Sequence, residues 1–491
     1  MTTIEVLHDD VLLTIFGFCV VEDQIFRGFG DQLDILLGKV TKRMVEWWQP
    51  LVHVCRRWRG LVFGSPRLLN LQLYCTLGTF TRKTLDVWPT LPLIMDDDIF
   101  DLPVDDFIPL LEHSNRIRQI NLIRPFLTAF QIEKVWAAMQ VPFPELTALT
   151  LDLRPLPSDS VPVVPDSFLG GSAPRLRLLT FIGTPLPRLQ NLLLSTTHLV
   201  ELHLFSVPHS GYISPDEMVT CLSMLTSLER LSLGFESSQS SPGQESGRFA
   251  PPPPTRYVLP TLVAFSFKGV NEYSEDLLAR IDAPRLYRLW ITFFNDIFFD
   301  SPQLIQFIGR TLTFKPPNEA HVAFNSRNAW FQLQSQASNF ERVKVNISCR
   351  DPGWQLSALA QICTSFSPFL SATESLHIYE NLDSNSKLDW KDGIENTEWL
   401  EFLFPFTTVK DLYLSKEFGP RIGLALQELT GGRMTEVLPI LQNLFLEGFK
   451  PSESVEEGIR QFFSGRQLTN HPITISSWDV HPEQVRSSVY D

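Results

Sequence analysis

One short phrase recurs along the chain and limits its fold more than any other feature: an apolar residue, two variable positions, then apolar, variable, apolar. Clear copies are LTALTL from Leu146, LRLLTF from Leu176, LVELHL from Leu199, LERLSL from Leu228, LVAFSF from Leu262, LYRLWI from Leu286, VKDLYL from Val409 and LQNLFL from Leu441. Looser copies are LLNLQL from Leu68, IRQINL from Ile117, FERVKV from Phe340 and ESLHIY from Glu374. The closing triplet has the two-residue period of a strand, so its outer members face a core and its middle member faces away. A strand this short cannot bury its own face, so it needs like neighbours and a return segment between them. PDEMVTCLSML, Pro215 to Leu225, has the helical apolar spacing expected of such a return.

Successive phrases begin at 117, 146, 176, 199, 228, 262 and 286, giving steps of 29, 30, 23, 29, 34 and 24 residues. That is the leucine-rich-repeat period at its long and uneven end. The expected fold class is therefore α/β: a short helical module over residues 1–66, then an irregular, curved leucine-rich-repeat solenoid over 67–491 with parallel strands on its concave face. A doubly wound α/β domain also alternates strands with helices, but no GxGxxG or GxxxxGK[ST] loop follows any candidate strand here. SSQSSPGQESGRFAPPPP, residues 237–254, is too polar and proline-rich to pack, and is expected as a flexible loop within one repeat.

Charge and cysteine usage narrow the function. The chain carries 55 Asp and Glu against 41 Lys and Arg, a formal charge of −14, which repels a phosphate backbone unless the basic residues gather on one face. No such gathering is visible, so no nucleic-acid partner is expected. Six scattered cysteines without paired spacing read as reduced core thiols rather than zinc ligands or a disulfide framework. The first residues lack a basic leader, and their apolar run falls short of the roughly 20 residues a membrane helix needs. The expectation is an intracellular protein, cytoplasmic or nuclear, without a membrane partner.

Two N-terminal stretches have helical stripes. In LHDDVLLTIF the apolar Leu7, Val11, Leu12, Ile15 and Phe16 share one face, and Asp9 and Asp10 lie in a first turn that favours negative charge. In LVHVCRRWRGLV, Leu51 to Val62, the stripe is Leu51, Val54, Cys55, Trp58, Leu61 and Val62, with Arg56, Arg57 and Arg59 mostly off it as a solvated or ion-paired face. Two helices this short are expected to need an outside surface to cover their stripes. These residues resemble the F-box, whose pattern is Leu-Pro-x-Glu/Asp-x-Leu-x-x-Ile-Phe followed by Leu-x-x-Val-Cys-x-x-Trp. The extension VFGSPRLLNLQLYCT, from Val62, is similar to the version common in fungal F-box proteins. The chain departs from the pattern at His8, where the family has proline, and in an insertion at about residues 20–46.

The resemblance covers about the first 75 residues and implies binding to the adaptor subunit of cullin-RING (SCF-type) ubiquitin ligases and, through it, to cullin. The repeats would then present a target protein. Carried over by position, the adaptor-binding residues would be Leu7, Leu12, Ile15, Phe16, Leu51, Val54, Cys55 and Trp58, with Trp58 as the aromatic anchor. The alternative is a repeat scaffold whose degenerate F-box joins no ligase. For target binding, the outward strand positions His203, Phe205, Arg288, Trp290 and Tyr413 are the candidates, exposed aromatics among polar groups being what a protein-binding surface uses. Further outward positions are Thr150, Ser232, Lys344 and Phe445.

Other chemistry finds little support. MDDDIFDLPVDDF, from Met95, holds six aspartates but no turn glycine at the spacing a calcium loop needs, and is expected as a solvated loop. His198, His203 and His209 match no zinc spacing, and GGSAP, from Gly170, fails the nucleophile-elbow pattern. No catalytic residue, metal or cofactor is expected, and the chain is read as a non-catalytic receptor.

Overall fold

The computed structural model describes residues 7–19, 47–75, 91–96, 104–124, 126–154, 162–185, 189–237, 256–294, 301–311, 313–314, 317–335, 338–380, 394–429, 431–448, 457–468 and 470–478. The insertion at 20–46 and nearly all of the 237–254 segment lie outside them. Two compact units divide the chain, Met1–Leu204 and Phe205–Asp491.

The first unit opens with three helices, α1 (Asp9–Gly17), α2 (Gln49–Val54) and α3 (Arg56–Gly64). Strands β1 (Leu73–Cys75), β2 (Leu93–Asp96), β3 (Ile117–Ile123), β4 (Ala148–Asp152) and β5 (Leu178–Ile182) then pair side by side, all parallel and in chain order. Helix Ala129–Ala138 is the return between β3 and β4; the Thr128 hydroxyl accepts from the Gln131 N–H while the Gln131 side chain accepts from the Thr128 N–H. It buries Ile132, Val135 and Trp136. Part of the aspartate-rich segment is also ordered: Val104–Leu111 is a helix, not loop, and Phe107, Leu110 and Leu111 anchor its apolar side in the core.

Strand β6 (Glu201–Val207) spans the division between the units. In the second, β7 (Arg230–Phe235), β9 (Ala264–Gly269) and β11 (Arg288–Phe294) continue the parallel pattern, while β8 (Tyr257–Val258) and β10 (Ile281–Asp282) form a separate pair. Helix Pro215–Met224 forms where the sequence predicts a return, capped reciprocally by Ser214 and Glu217 and burying Met218, Val219, Cys221 and Leu222.

A departure from strict repetition follows. β12 (Glu319–Phe324), β13 (Asn328–Ser335) and β14 (Ser338–Ser348) form an antiparallel meander laid into the sheet in reverse chain order. β14 pairs with β11 and β12 pairs with the next strand, β15 (Ser375–Glu380), both parallel. β16 (Asp411–Leu414), β17 (Asn443–Glu447) and β18 (Thr474–Trp478) complete the array. The short turn between β12 and β13 forces the reversal: the Asn325 side-chain oxygen accepts from the N–H groups of Arg327 and Asn328, each at 2.8 Å.

Eleven of the twelve phrases close on strands, whereas LLNLQL reaches β1 only at Leu73; the inner positions are dry, with Leu149, Leu151, Leu289, Leu376, Ile378 and Leu412 buried. The molecule is thus a leucine-rich-repeat-type array of parallel strands with mostly helical returns. Of the cysteines, Cys75, Cys221, Cys349 and Cys363 are buried, but Cys19 and Cys55 sit exposed beside helix ends, so the expectation of six core thiols fails for those two. No described helix is long and apolar enough to cross a membrane.

The reversed meander is held to its return helix by the wholly buried Gln355, whose amide nitrogen donates to the carbonyls of Asn325 (3.0 Å) and Cys349 (2.7 Å). Gln355→Leu keeps the volume and orphans both carbonyls. It is expected to cost about 1–3 kcal/mol in denaturant unfolding, whereas the exposed Gln442→Leu costs less than ~0.5 kcal/mol.

Candidate functional site

Two regions gather residues able to bind something: the N-terminal helices in the first unit, and the outward face of the sheet in the second.

The stretch Leu51 to Val62, expected as one striped helix, is two helices broken at Cys55, whose backbone is fully extended at φ −159° and ψ 170°. Cys55 caps α3, its sulfur accepting from the Trp58 N–H at 3.5 Å. The break rotates the stripe, so the residues turned inward are Val52 and Val62, not Leu51 and Val54. Leu12 and Phe16 are also sealed, with Phe16 meeting the half-buried Trp58 ring edge-on at 4.8 Å. Both were expected at or just under a partner surface; the chain itself covers them. Trp48, unremarked in the sequence, is buried as well, its indole N–H donating to the Gln72 carbonyl at 2.9 Å.

A second stripe of α1 is left outside this interior. Val11 (45% exposed), Ile15 (40%) and Phe18 (85%) recur at i, i+4 and i+7, and Val54 is 58% exposed at the end of α2. Leu7, Leu51 and Trp58 are half-buried, and Cys55 is exposed. The cluster of arginines braces the helices: Arg57 donates to the Asp9 carboxylate (2.6 Å) and the Leu7 carbonyl (2.5 Å), and Arg59 to the Val52 carbonyl (3.0 Å). His8 precedes α1 with φ −64°, the angle proline would impose, so its departure from the F-box pattern leaves the start of the helix in proline-like geometry.

Among the outward strand positions, His203 is a correction. It is buried, its ring Nε2 lying 3.1 Å from the equally buried Glu201 carboxylate. Asp152, also on an outward position, is buried under the bidentate guanidinium of Arg154, with both contacts at 2.8 Å. Pointing away from the leucine core is therefore not the same as meeting water. Ser232 is likewise buried. Phe205, Arg288, Trp290 and Tyr413 are half-buried, and the Arg288 guanidinium lies over the Trp290 ring at 5.4 Å, where burial lowers its pKa.

Register joins the outward positions of the second unit into one row that runs Ser232, Ser266, Trp290, Lys344, Gln332, His321, His377, Tyr413, Phe445, Ser476. Within it four rings stack nearly flat: His321 on His377 at 4.4 Å, His377 on Tyr413 at 4.1 Å and Tyr413 on Phe445 at 4.3 Å, all within 9° of parallel. Trp478 closes over the stack, its ring edge-on to Tyr413 (5.5 Å) and His377 (5.9 Å), and packs against the buried cluster Ala323, Trp330 and Tyr379. The outward face thus has a small apolar core of its own.

Beside the stack, Glu319 joins the two histidines, and one ligand atom from each of the three residues lies within 4.8 Å of the others. Sequence reading passed over this group because 56 residues separate His321 from His377. The available signal was a shared position: both histidines are the middle residue of an apolar triplet, AHV and LHI.

Comparison with known proteins identifies no matching family model and no matching curated protein. Among solved structures, the leucine-rich repeat-containing protein LegL7 from Legionella pneumophila is similar at 15% identity and a TM-score of 0.27, covering 72% of this chain and 97% of its own.

The stack has a measurable consequence. Burial, reinforced by His321 and opposed by Glu319, pushes the His377 pKa down to about 3. The unfolded chain, with a histidine pKa near 6.5, binds the extra proton between those values, so stability present above about pH 6.5 is lost as the pH falls toward 3. In chelator-treated protein, His377→Gln is expected to flatten the decline between pH 6.5 and 5 by up to ~1.4 kcal/mol per pH unit, read from urea midpoints.

Proposed function

We propose that the chain is a non-catalytic substrate receptor: its N-terminal helices dock on the adaptor of an SCF-type ubiquitin ligase, and the repeat array holds a target protein. The observation that carries this reading is the unspent stripe Val11, Ile15 and Phe18 on a helix whose neighbouring stripe, Leu12 and Phe16, is fully used inside the chain. A helix with two apolar faces, one of them in water, is suited to burying the second against a partner. The F-box resemblance of the same helix, which shares Ile15 with this stripe, supplies the chemistry of that partner. The half-buried Trp290, Lys344, Tyr413 and Phe445 along a single row offer the mixture of aromatic and charged contacts that suits a protein target.

Purified full-length protein is expected to bind a recombinant SCF adaptor subunit in a calorimetric titration. Replacing two exposed contacts by Val11→Glu with Ile15→Glu forfeits about 3 kcal/mol, so the affinity falls by about 100-fold or more while the melting temperature stays within a few degrees. Trp290→Ala leaves adaptor affinity unchanged. Failure of the unaltered protein to bind, or equal binding by the double variant, overturns the proposal.

A further inference from the structure

We propose that Glu319, His321 and His377 form a binding site for one divalent transition-metal ion on the outward face of the second unit, with zinc(II) the ion that the donor set fits best. The argument is independent of whether α1 docks on an adaptor.

Geometry supplies the first reason. Register places His321 directly beside His377 on adjacent parallel strands, and Glu319 lies two residues before His321 on the same face. The three donors converge within 4.8 Å. Two imidazoles and one carboxylate make a three-ligand set with a fourth position left for water, a composition zinc accepts readily. Calcium and magnesium, which require an oxygen-rich shell, are poorly served by it.

Unmet hydrogen bonding is the second reason. His321 is 5% exposed and His377 8%, yet His321 Nε2 and His377 Nδ1 have no hydrogen-bond partner among the described residues. The Glu319 carboxylate approaches His321 Nε2 at 3.5 Å, an ion-pair contact without hydrogen-bond geometry. Buried ring nitrogens are ordinarily satisfied, because an orphaned one forfeits its hydration for nothing. A metal ion would recover that loss.

Binding requires one rearrangement. Flat-stacked rings 4.4 Å apart aim their lone pairs along parallel planes, and both cannot meet one ion at the 2.0–2.1 Å of a zinc–nitrogen bond. His321 is the ring that turns, because it ends the flat stack and meets Tyr379 only edge-on at 6.3 Å, whereas His377 is held between His321 and Tyr413. Metal uptake is therefore coupled to the aromatic face under Trp478.

The test uses full-length protein stripped with chelator and titrated with cobalt(II) alone, then zinc(II). One equivalent of cobalt(II) is expected to bind with the strong visible absorption of a four-coordinate site, and zinc(II) to displace it while changing the near-ultraviolet circular dichroism of the Tyr413 and Trp478 region. His377→Gln should weaken binding by more than about 100-fold, beyond what loss of an outer hydrogen-bond partner costs. Glu319→Gln, at a half-buried position, keeps the test valid if the histidine variants fold poorly, and should weaken binding by about 10-fold or more. His471→Gln, at an exposed position, should change nothing. Absence of one-to-one binding, or binding that survives both His377→Gln and Glu319→Gln, overturns the proposal.

Discussion

Lateral pairing of parallel strands in register is the interaction on which everything else in this molecule rests. A three- to seven-residue strand cannot shield its own inner leucines; they are dry only because the same positions of the next strand lie beside them. The same constraint acts on the outward face. Strands about 4.8 Å apart bring equivalent residues of successive repeats within side-chain contact, so whatever occupies the middle of the triplet is stacked on its counterparts. Histidine, tyrosine and phenylalanine at that position become the ring stack of His321, His377, Tyr413 and Phe445.

The reversed meander decides which residues share this row. Had β12 simply followed β11 in the sheet, His321 would stand beside a residue of β11, far from His377. Because β12 emerges last, it faces β15, and the AHV and LHI triplets align residue for residue. A tight turn stabilised by the Asn325 side chain thus fixes the meeting of two histidines far apart in sequence. Local turn chemistry here dictates a long-range pairing that periodicity alone does not reveal.

That difference marks how much could be read from the sequence. Every copy of the phrase but LLNLQL, which meets β1 only at Leu73, closes on a strand, because period-two alternation around a core is written directly into consecutive residues. β2, β12, β13 and β18 carry no such phrase: NAWFQLQS and TISSW lack the leading apolar residue, since an antiparallel insertion and the last strand need not sustain a repeat, while β2 (LIMD) joins the parallel sheet without the phrase. Exposure was the harder property to read. The triplet rule gives the face on which His203, Trp290 and Tyr413 lie, but covering groups such as Glu201 and Trp478 come from elsewhere on that face, and His203 ends buried. In α1 the helical period shows a broad apolar face without saying which half turns inward, and in Leu51 to Val62 the stripe is split by the break at Cys55, a backbone event that stripe counting does not register.

The N-terminal helices also show how a module too small for its own core can draw part of its cover from the first repeat. Trp48 is tied to the Gln72 carbonyl and stands edge-on to Phe63 at 5.8 Å, while Leu69 and Leu71 are buried on the way into β1. The first repeat lends the helices the apolar volume they lack, and Arg57 fixes α1 through Asp9 and the Leu7 carbonyl. Val11, Ile15 and Phe18 are thereby presented on a helix already held in place. A partner docking there would find an ordered stripe, so binding would spend little on ordering the helix, and the surface would be lost only by changes that undo the helix packing beneath it.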